Sequence, residues 1–294
     1  MRFVAYRRNE GPGLAIRQGS DLRDLGSLDL AAVLREGDDG LRRMEALARR
    51  GRPLDESDLI YLPPITAPPK IVCVGLNYQD HVKEAKREPP LYPTFFGRFV
   101  QSLVAHGQPL VRPLVSEQFD YEGEIVAVIG KRGRHIARSE ALDFVAGYSV
   151  FNDASVRDYQ RKGDQWTLGK NFDGTGAFGP EFVTADELPR GAKALKIKTR
   201  LNGVTVQSAT ADEMIFDIPT LIARLSEAVT LEVGDLIVTG TPGGVGFSRN
   251  PKLFMKQGDV CEVEVEGVGI LRNPVHDETT PVSRSGEVDS VVAR

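Results

Sequence analysis

Apolar residues recur along this chain with two different periods, and the change of period marks its organisation. Leu30, Val33, Leu34, Leu41, Met44 and Leu47 fall near helical spacing. This predicts one helix over residues 29–50 that stops at Gly51. Ahead of it, Phe3-Val4-Ala5-Tyr6 reads as a short strand and residues 13–17 as its hairpin partner. Pro63-Pro64-Ile65-Thr66-Ala67-Pro68-Pro69 follows, and such proline density suits neither helix nor the interior of a paired strand. A boundary is therefore expected there, with a small N-terminal α+β domain over 1–68. Beyond it, short β-branched runs at 71–74, 123–129, 145–151, 195–201, 235–239 and 260–265 are bounded by Gly, Pro, Asn or Asp. Helices are expected between them at 79–86, 155–161 and 218–228. The fold class is α+β and β-rich, with the larger domain over 69–275. Residues 276–294 lack periodicity and read as a flexible C-terminal tail.

Charge narrows the partners. The chain has 37 Lys and Arg against 41 Asp and Glu, a net charge of −4, which provides no broad basic field for nucleic acid or an anionic membrane. No signal-peptide core and no run of about 18 apolar residues is visible, so a cytoplasmic protein is expected. Cys73 and Cys261 each sit in an apolar, strand-like run, as expected of buried free thiols.

Candidate chemistry centres on Glu122 and Glu124, at the start of the run Gly123-Glu124-Ile125-Val126-Ala127-Val128-Ile129. The downstream half of this run is apolar throughout, as in a strand covered on both faces. Residues two apart on a strand point the same way, so both carboxylates face one point, with Gly123 leaving the opposite face free. A cation or a proton must offset such a pair. Asp153, at the end of the next strand, offers a third hard oxygen donor, a set suited to Mg²⁺ or Mn²⁺. The alternative is a solvated strand face, as in Cys261-Glu262-Val263-Glu264-Val265-Glu266, where Val alternates with Glu throughout.

His81 and Glu84, three apart, share a face if helical, which suits a general base oriented by a carboxylate or a plain surface ion pair. Lys170 stands beside a glycine-flanked loop, either as a surface lysine or within reach of an anionic substrate. Arg157 and Gln160 share a helical face, where Arg157 is also placed to pair with Asp158 or Glu124. The loop Thr241-Pro242-Gly243-Gly244-Val245-Gly246 can offer N–H groups and a hydroxyl to a carboxylate.

Five segments in order resemble the fumarylacetoacetate hydrolase family: Gly75-Leu76-Asn77-Tyr78-Gln79-Asp80-His81-Val82-Lys83-Glu84, Asp120-Tyr121-Glu122-Gly123-Glu124, Asn152-Asp153-Ala154-Ser155-Val156-Arg157-Asp158-Tyr159-Gln160, Trp166-Thr167-Leu168-Gly169-Lys170-Asn171-Phe172-Asp173, and the Thr239-Gly240-Thr241-Pro242 loop. The resemblance implies a mixed β-roll or sandwich catalytic domain and a homodimer. It implies one Mg²⁺ or Mn²⁺ per subunit on Glu122, Glu124 and Asp153, and a catalytic role for His81, Glu84 and Lys170. Gln160, Arg157, Thr241, Tyr78 and Asn77 fall on substrate-binding positions. The substrate implied is a small 2-oxo acid. The expected reaction is hydrolysis of the C–C bond of an acylpyruvate, such as fumarylpyruvate or acetylpyruvate. The alternatives are oxaloacetate decarboxylation, isomerisation or decarboxylation of 2-hydroxyhepta-2,4-diene-1,7-dioate, and a non-catalytic ligand-binding homologue. Many relatives carry a lysine shortly after a Phe-Phe pair, whereas Phe95-Phe96 here leads to Gly97-Arg98, so a different substrate end is expected. Residues 77–93 are expected to form a mobile lid.

Overall fold

The computed structural model describes residues 1–9 and 11–279. The chain opens with an antiparallel meander of β1 (Arg2–Arg8), β2 (Gly11–Gln18) and β3 (Asp21–Gly26). The single helix expected over 29–50 is two, α1 (Leu30–Arg35) and α2 (Asp38–Ala48). The break falls at Gly37, whose φ of 60° and ψ of −139° lie outside any α-helix. Spacing did not register it because Leu30, Val33, Leu34, Met44 and Ala48 from both helices enter one apolar cluster.

After β4 (Pro53–Leu54) come β5 (Ile71–Gly75), α3 (Gln79–Glu84), β6 (Thr94–Arg98), β7 (Leu103–Val104), β8 (Leu110–Arg112), β9 (Phe119–Asp120), β10 (Gly123–Ile129) and β11 (Val145–Asp153). Next are β12 (Ser155–Val156), α4 (Arg157–Gln160), α5 (Thr167–Lys170), β13 (Gly176–Thr184), β14 (Lys196–Leu201) and β15 (Val204–Thr210). The last are α6 (Ile218–Ala228), β16 (Leu236–Val238), β17 (Val260–Val265) and β18 (Gly269–Asp277). The helix expected over 155–161 is confined to α4, because Ser155 and Val156 pair with Asp120 and Phe119 first. The expected tail begins inside β18, where His276 and Asp277 pair with Val111 and Arg112; its remainder from 280 lies outside the described residues.

The main mixed sheet runs β4-β3-β2-β1-β13-β11-β10-β16-β5-β6, with β7 against β13. Arg2 and Phe3 pair with Val183 and Phe182, so hydrogen bonds carry this sheet across the boundary expected at the proline run. A second sheet, β15-β14-β17-β18-β8, packs on one face. Ile125, Ala127 and Ile129 meet Ile197, Leu201 and Val263 there, while Val126 and Val128 join Phe3, Leu14 and Leu30 on the other face. β10 is thus covered on both sides, as its unbroken apolar run implies. The face opposite the glutamates is not free, however. A Cβ on Gly123 would stand 2.2 Å from Thr199 Oγ1 and 2.9 Å from Val263 Cγ1, so glycine is what lets the two sheets close here.

β5 and β16 are parallel, and β10 runs antiparallel to both β16 and β11. The C-terminal ends of β5, β16 and β11 therefore meet the N-terminal end of β10 at one edge of the sheet.

Candidate active site

That edge carries the acidic residues. Glu122 directly precedes β10, Glu124 is its second residue and Asp153 ends β11, with the Asp153 N–H donating to the Glu122 carbonyl at 2.8 Å. One carboxylate oxygen from each lies within 4.8 Å of the others, and the residues are only 4%, 1% and 0% exposed. Three buried carboxylates this close require counter-charge. Lys170 Nζ stands 2.6 Å from both Glu122 Oε2 and Asp153 Oδ2. Arg157 Nη1 is 2.6 Å from Glu122 Oε1, and Arg98 binds Asp153 Oδ1. Burial alone raises the Glu122 pKa, but Lys170, Arg157 and His81 outweigh it and hold the carboxyl down at about 2. Glu124 lacks such a partner: its hydrogen bond comes from the Gly240 N–H at 2.5 Å. Burial, with Asp153 and Glu122 beside it, pushes its carboxyl well above the usual range. The set thus has one carboxylate that only an added cation or a proton neutralises. Three hard oxygen donors without thiol or imidazole fit Mg²⁺ or Mn²⁺.

The loops after β5 and β16 hold this arrangement. Gly240 has φ 101°, and a Cβ on it would lie 2.7 Å from Asn77 Cβ, so its N–H reaches Glu124 only because the residue is glycine. Asn77 donates to the carbonyls of Thr239 at 2.7 Å and Phe216 at 3.0 Å and accepts from the Phe216 N–H at 2.8 Å. Its amide is fully buried and spent on backbone, which makes it a loop clamp in this structure. Thr241 Oγ1 donates to the Gly123 carbonyl and accepts from Gln207 Nε2, while Gln207 Oε1 accepts the Gly123 N–H.

On α3, His81 Nδ1 lies 2.8 Å from Glu84 Oε1, and Glu84 Oε2 accepts the Gly244 N–H at 2.8 Å. The carboxylate is pinned between ring and loop, leaving imidazole Nε2 free to exchange a proton. His81 lines a cavity of about 300 Å³ together with Glu122, Glu124, Gln160, Lys170 and Thr241. Trp166 and Phe96, ring centroids 5.3 Å apart and edge to face, form an aromatic wall. Tyr78 lines a separate cavity of about 190 Å³ behind Glu84, beside Asp80 and Glu213.

Comparison with known proteins decides the family. The sequence pattern described as "Fumarylacetoacetate (FAA) hydrolase C-terminal" matches residues 70–276. The chain belongs to the fumarylacetoacetate hydrolase family. Members of this family are enzymes, and the β-rich mixed sheets are its fold. The human protein named oxaloacetate tautomerase FAHD2A, mitochondrial, is 40% identical over 288 residues, covering 94% of this chain and 91% of that one. The structure titled fumarylacetoacetate hydrolase from psychrophilic Exiguobacterium antarcticum superposes with a TM-score of 0.84 at 32% identity, covering 95% of this chain and all of the other. Maleylpyruvate hydrolase from Sphingobium sp. SYK-6, in complex with manganese(II) and pyruvate, gives 0.81 at 25% identity with the same coverage. The cytoplasmic expectation thus meets a relative named as mitochondrial. Among the described residues no helix is long and apolar enough to cross a membrane.

Within this family member, several residues stand apart from where the sequence placed them. Arg157 pairs with Asp120 Oδ2 at 2.8 Å, with Glu122, and with Gln160 Oε1 at 3.0 Å, and with neither Asp158 nor Glu124. Arg98, two residues after the Phe95-Phe96 pair, has a buried side chain, and besides Asp153 it reaches Thr175 Oγ1 at 2.8 Å. Asp120 went unrecognised. It accepts the Gly246 and Phe247 N–H groups at 2.8 Å each as well as Arg157, tying the glycine-rich loop to the site. Its signal was the same two-residue alternation that singles out Glu122 and Glu124. Glu262 and Glu264 are the wet face expected of them, half-buried and paired with Arg272 and Arg200. Cys73 and Cys261 are buried free thiols.

Proposed function

We propose that this enzyme moves a proton on a small 2-oxo acid of the oxaloacetate type, interconverting its keto and enol forms. One observation carries the reading: His81, oriented by Glu84, opens into the same small cavity as Glu122 and Glu124, two members of the carboxylate cluster that Asp153 completes. The relatives support oxaloacetate as substrate over acylpyruvate hydrolysis, the reaction the sequence favoured. The human oxaloacetate tautomerase is 40% identical, whereas the Sphingobium maleylpyruvate hydrolase is 25% identical. A cavity of about 300 Å³ lies at the lower end of the range of about 300–1,000 Å³ for ligand pockets, which suits a compact acid.

Glu122, Glu124 and Asp153 hold the ion in this reading, and a bound Mg²⁺ or Mn²⁺ supplies an electrophile for the 2-oxo group. His81 Nε2 takes the proton from the carbon beside that group, and Glu84 stabilises the charged ring. The same ring returns the proton to oxygen, so one C–H bond breaks, one O–H bond forms and no co-reactant is consumed. Lys170 acts as a positioning residue, since its ammonium is committed to Glu122 and Asp153. Gln160 Oε1 accepts from Arg157, which leaves its NH₂ group as the donor available to the substrate in the cavity that it lines. Thr241 shares that cavity lining.

C–C hydrolysis of an acylpyruvate is the second reading, since the same base can activate water. Purified protein with Mg²⁺ or Mn²⁺ is assayed for oxaloacetate tautomerisation by enol absorbance, and for pyruvate release from acetylpyruvate and fumarylpyruvate. Faster tautomerisation without pyruvate release supports the first reading. Pyruvate release with no effect on oxaloacetate replaces it by the second. Light scattering on the same sample tests the homodimer.

A further inference from the structure

The charged residues that line the cavity differ in burial. Its acidic lining residues, Glu122 and Glu124, are buried beside Lys170 and Arg157, while Arg87 and Arg161 line it from exposed positions. Two arginines at the site are neutralised, Arg157 by Asp120 and Glu122 and Arg98 by Asp153. Arg161 is different. Its Nε donates to the Arg157 carbonyl at 3.1 Å and its Nη2 to Gln118 Oε1 at 3.2 Å, both neutral oxygens. The guanidinium lies 4.1 Å from the centroid of the Phe247 ring, another wall of the cavity, and Lys252 Nζ stands at the same distance from that ring. No carboxylate pairs with Arg161 or Arg87 among the described residues. With two of its five N–H donors engaged, Arg161 keeps three for a ligand, and its anchors fix the fork before anything binds. Arg87 follows α3, the helix of His81 and Glu84, its backbone N–H bonded to the Val82 carbonyl at 3.1 Å.

We infer that Arg161, with Arg87, forms a subsite for the second carboxylate of a dicarboxylic 2-oxo acid whose first carboxylate and oxo group lie at the buried Glu122 and Glu124. The inference rests on the 2-oxo acid reading above and adds the determinant that selects a dicarboxylate. A monocarboxylic 2-oxo acid leaves these guanidiniums without an anion. A dicarboxylate gives Arg161 a two-pronged partner, the geometry in which guanidinium binds carboxylate best.

The test compares two ligands on Mg²⁺-loaded protein through the fluorescence of Trp166, the sole tryptophan and a cavity wall. One is 3,3-difluoro-oxaloacetate, which keeps both carboxylates and has no C3 hydrogen to lose; the other is pyruvate, which lacks the distal carboxylate. The wild type is expected to bind the first at least about tenfold more tightly. In Arg161→Gln that ratio falls by about tenfold, Arg87→Gln/Arg161→Gln lowers it further, and Arg161→Lys restores part of it. An unchanged ratio in the double variant overturns the subsite, and so does equal weakening of both ligands. If the ratio collapses as expected but wild type leaves oxaloacetate tautomerisation unaccelerated, the subsite stands and the proposed reaction falls.

Discussion

Lys170 Nζ and Glu122 Oε2 stand 2.6 Å apart with both side chains almost wholly out of solvent, and the same ammonium reaches Asp153 at the same distance. The lysine thus bridges two carboxylates that would otherwise repel each other. Lys170→Met leaves both carboxylates short of charge, an expected loss of about 3–5 kcal/mol in the metal-free protein. Thermal melts with and without Mg²⁺ check it. The metal-induced rise in melting temperature should be larger in the variant than in the wild type, because the ion then replaces the missing cation.

Glu122 and Glu124 should respond oppositely to neutralisation. Glu122→Gln unbalances Lys170 and Arg157, so metal-free stability falls. Glu124→Gln removes the carboxylate that has no cation partner, so metal-free stability holds or rises. Both variants should lose at least about tenfold in Mn²⁺ affinity, since even outer partners of metal ligands are worth about 10–100-fold. Electron paramagnetic resonance titration measures this, with Glu264→Gln as a control that keeps wild-type affinity.

His81→Ala should lower turnover about 10²–10⁴-fold, the usual contribution of a positioned base, while Mn²⁺ affinity stays within about threefold. Glu84→Gln keeps an oxygen for the Gly244 N–H but loses the charge beside the ring, so its activity should fall between wild type and His81→Ala. An alanine variant as active as wild type would place the base elsewhere.

Far from the site, Asp24 joins the strands of the meander, accepting from Tyr6 Oη at 2.7 Å, the Gly26 N–H at 2.8 Å, Arg8 Nη1 at 2.7 Å and Arg52 Nε at 3.0 Å. Burial raises its pKa, and these donors outweigh burial to bring it down to about 2. A carboxyl lowered on folding stabilises above its unfolded value near 4 and loses that contribution as pH falls through about 2. Asp24→Asn should therefore cost about 1–2 kcal/mol at neutral pH, with the gap to wild type closing between about pH 4 and pH 2. Urea denaturation across this range measures it.

What could be read from the chain depended on how local the cause was. β10, β11 and α6 were legible because an unbroken β-branched run or a helical period is written in neighbouring residues. The carboxylate cluster was legible through the alternation of Glu122 and Glu124. β13 was not, since Gly-Ala-Phe-Gly-Pro at its start reads as a turn, yet Gly176 and Ala177 pair with both β7 and β11. The tasks of Lys170, Arg157 and Arg98 were hidden for a different reason. Each depends on carboxylates brought from elsewhere in the chain, at separations from 17 for Lys170 and Asp153 to 55 for Arg98 and Asp153. Local spacing shows that a cation is present and says nothing of which anion it meets.

The pairing of Arg2 and Phe3 with Val183 and Phe182 makes the first strand a shield for the sheet that carries the active site. A fragment begun after the proline run would present β13 with part of its hydrogen-bonding edge bare, and would uncover the apolar faces of Phe178 and Phe182 that Phe3 and Leu14 now cover. Such an edge recruits strands from other molecules. The first sixty-odd residues therefore keep that strand edge from templating aggregation, and shortened forms should precipitate before they lose their chemistry.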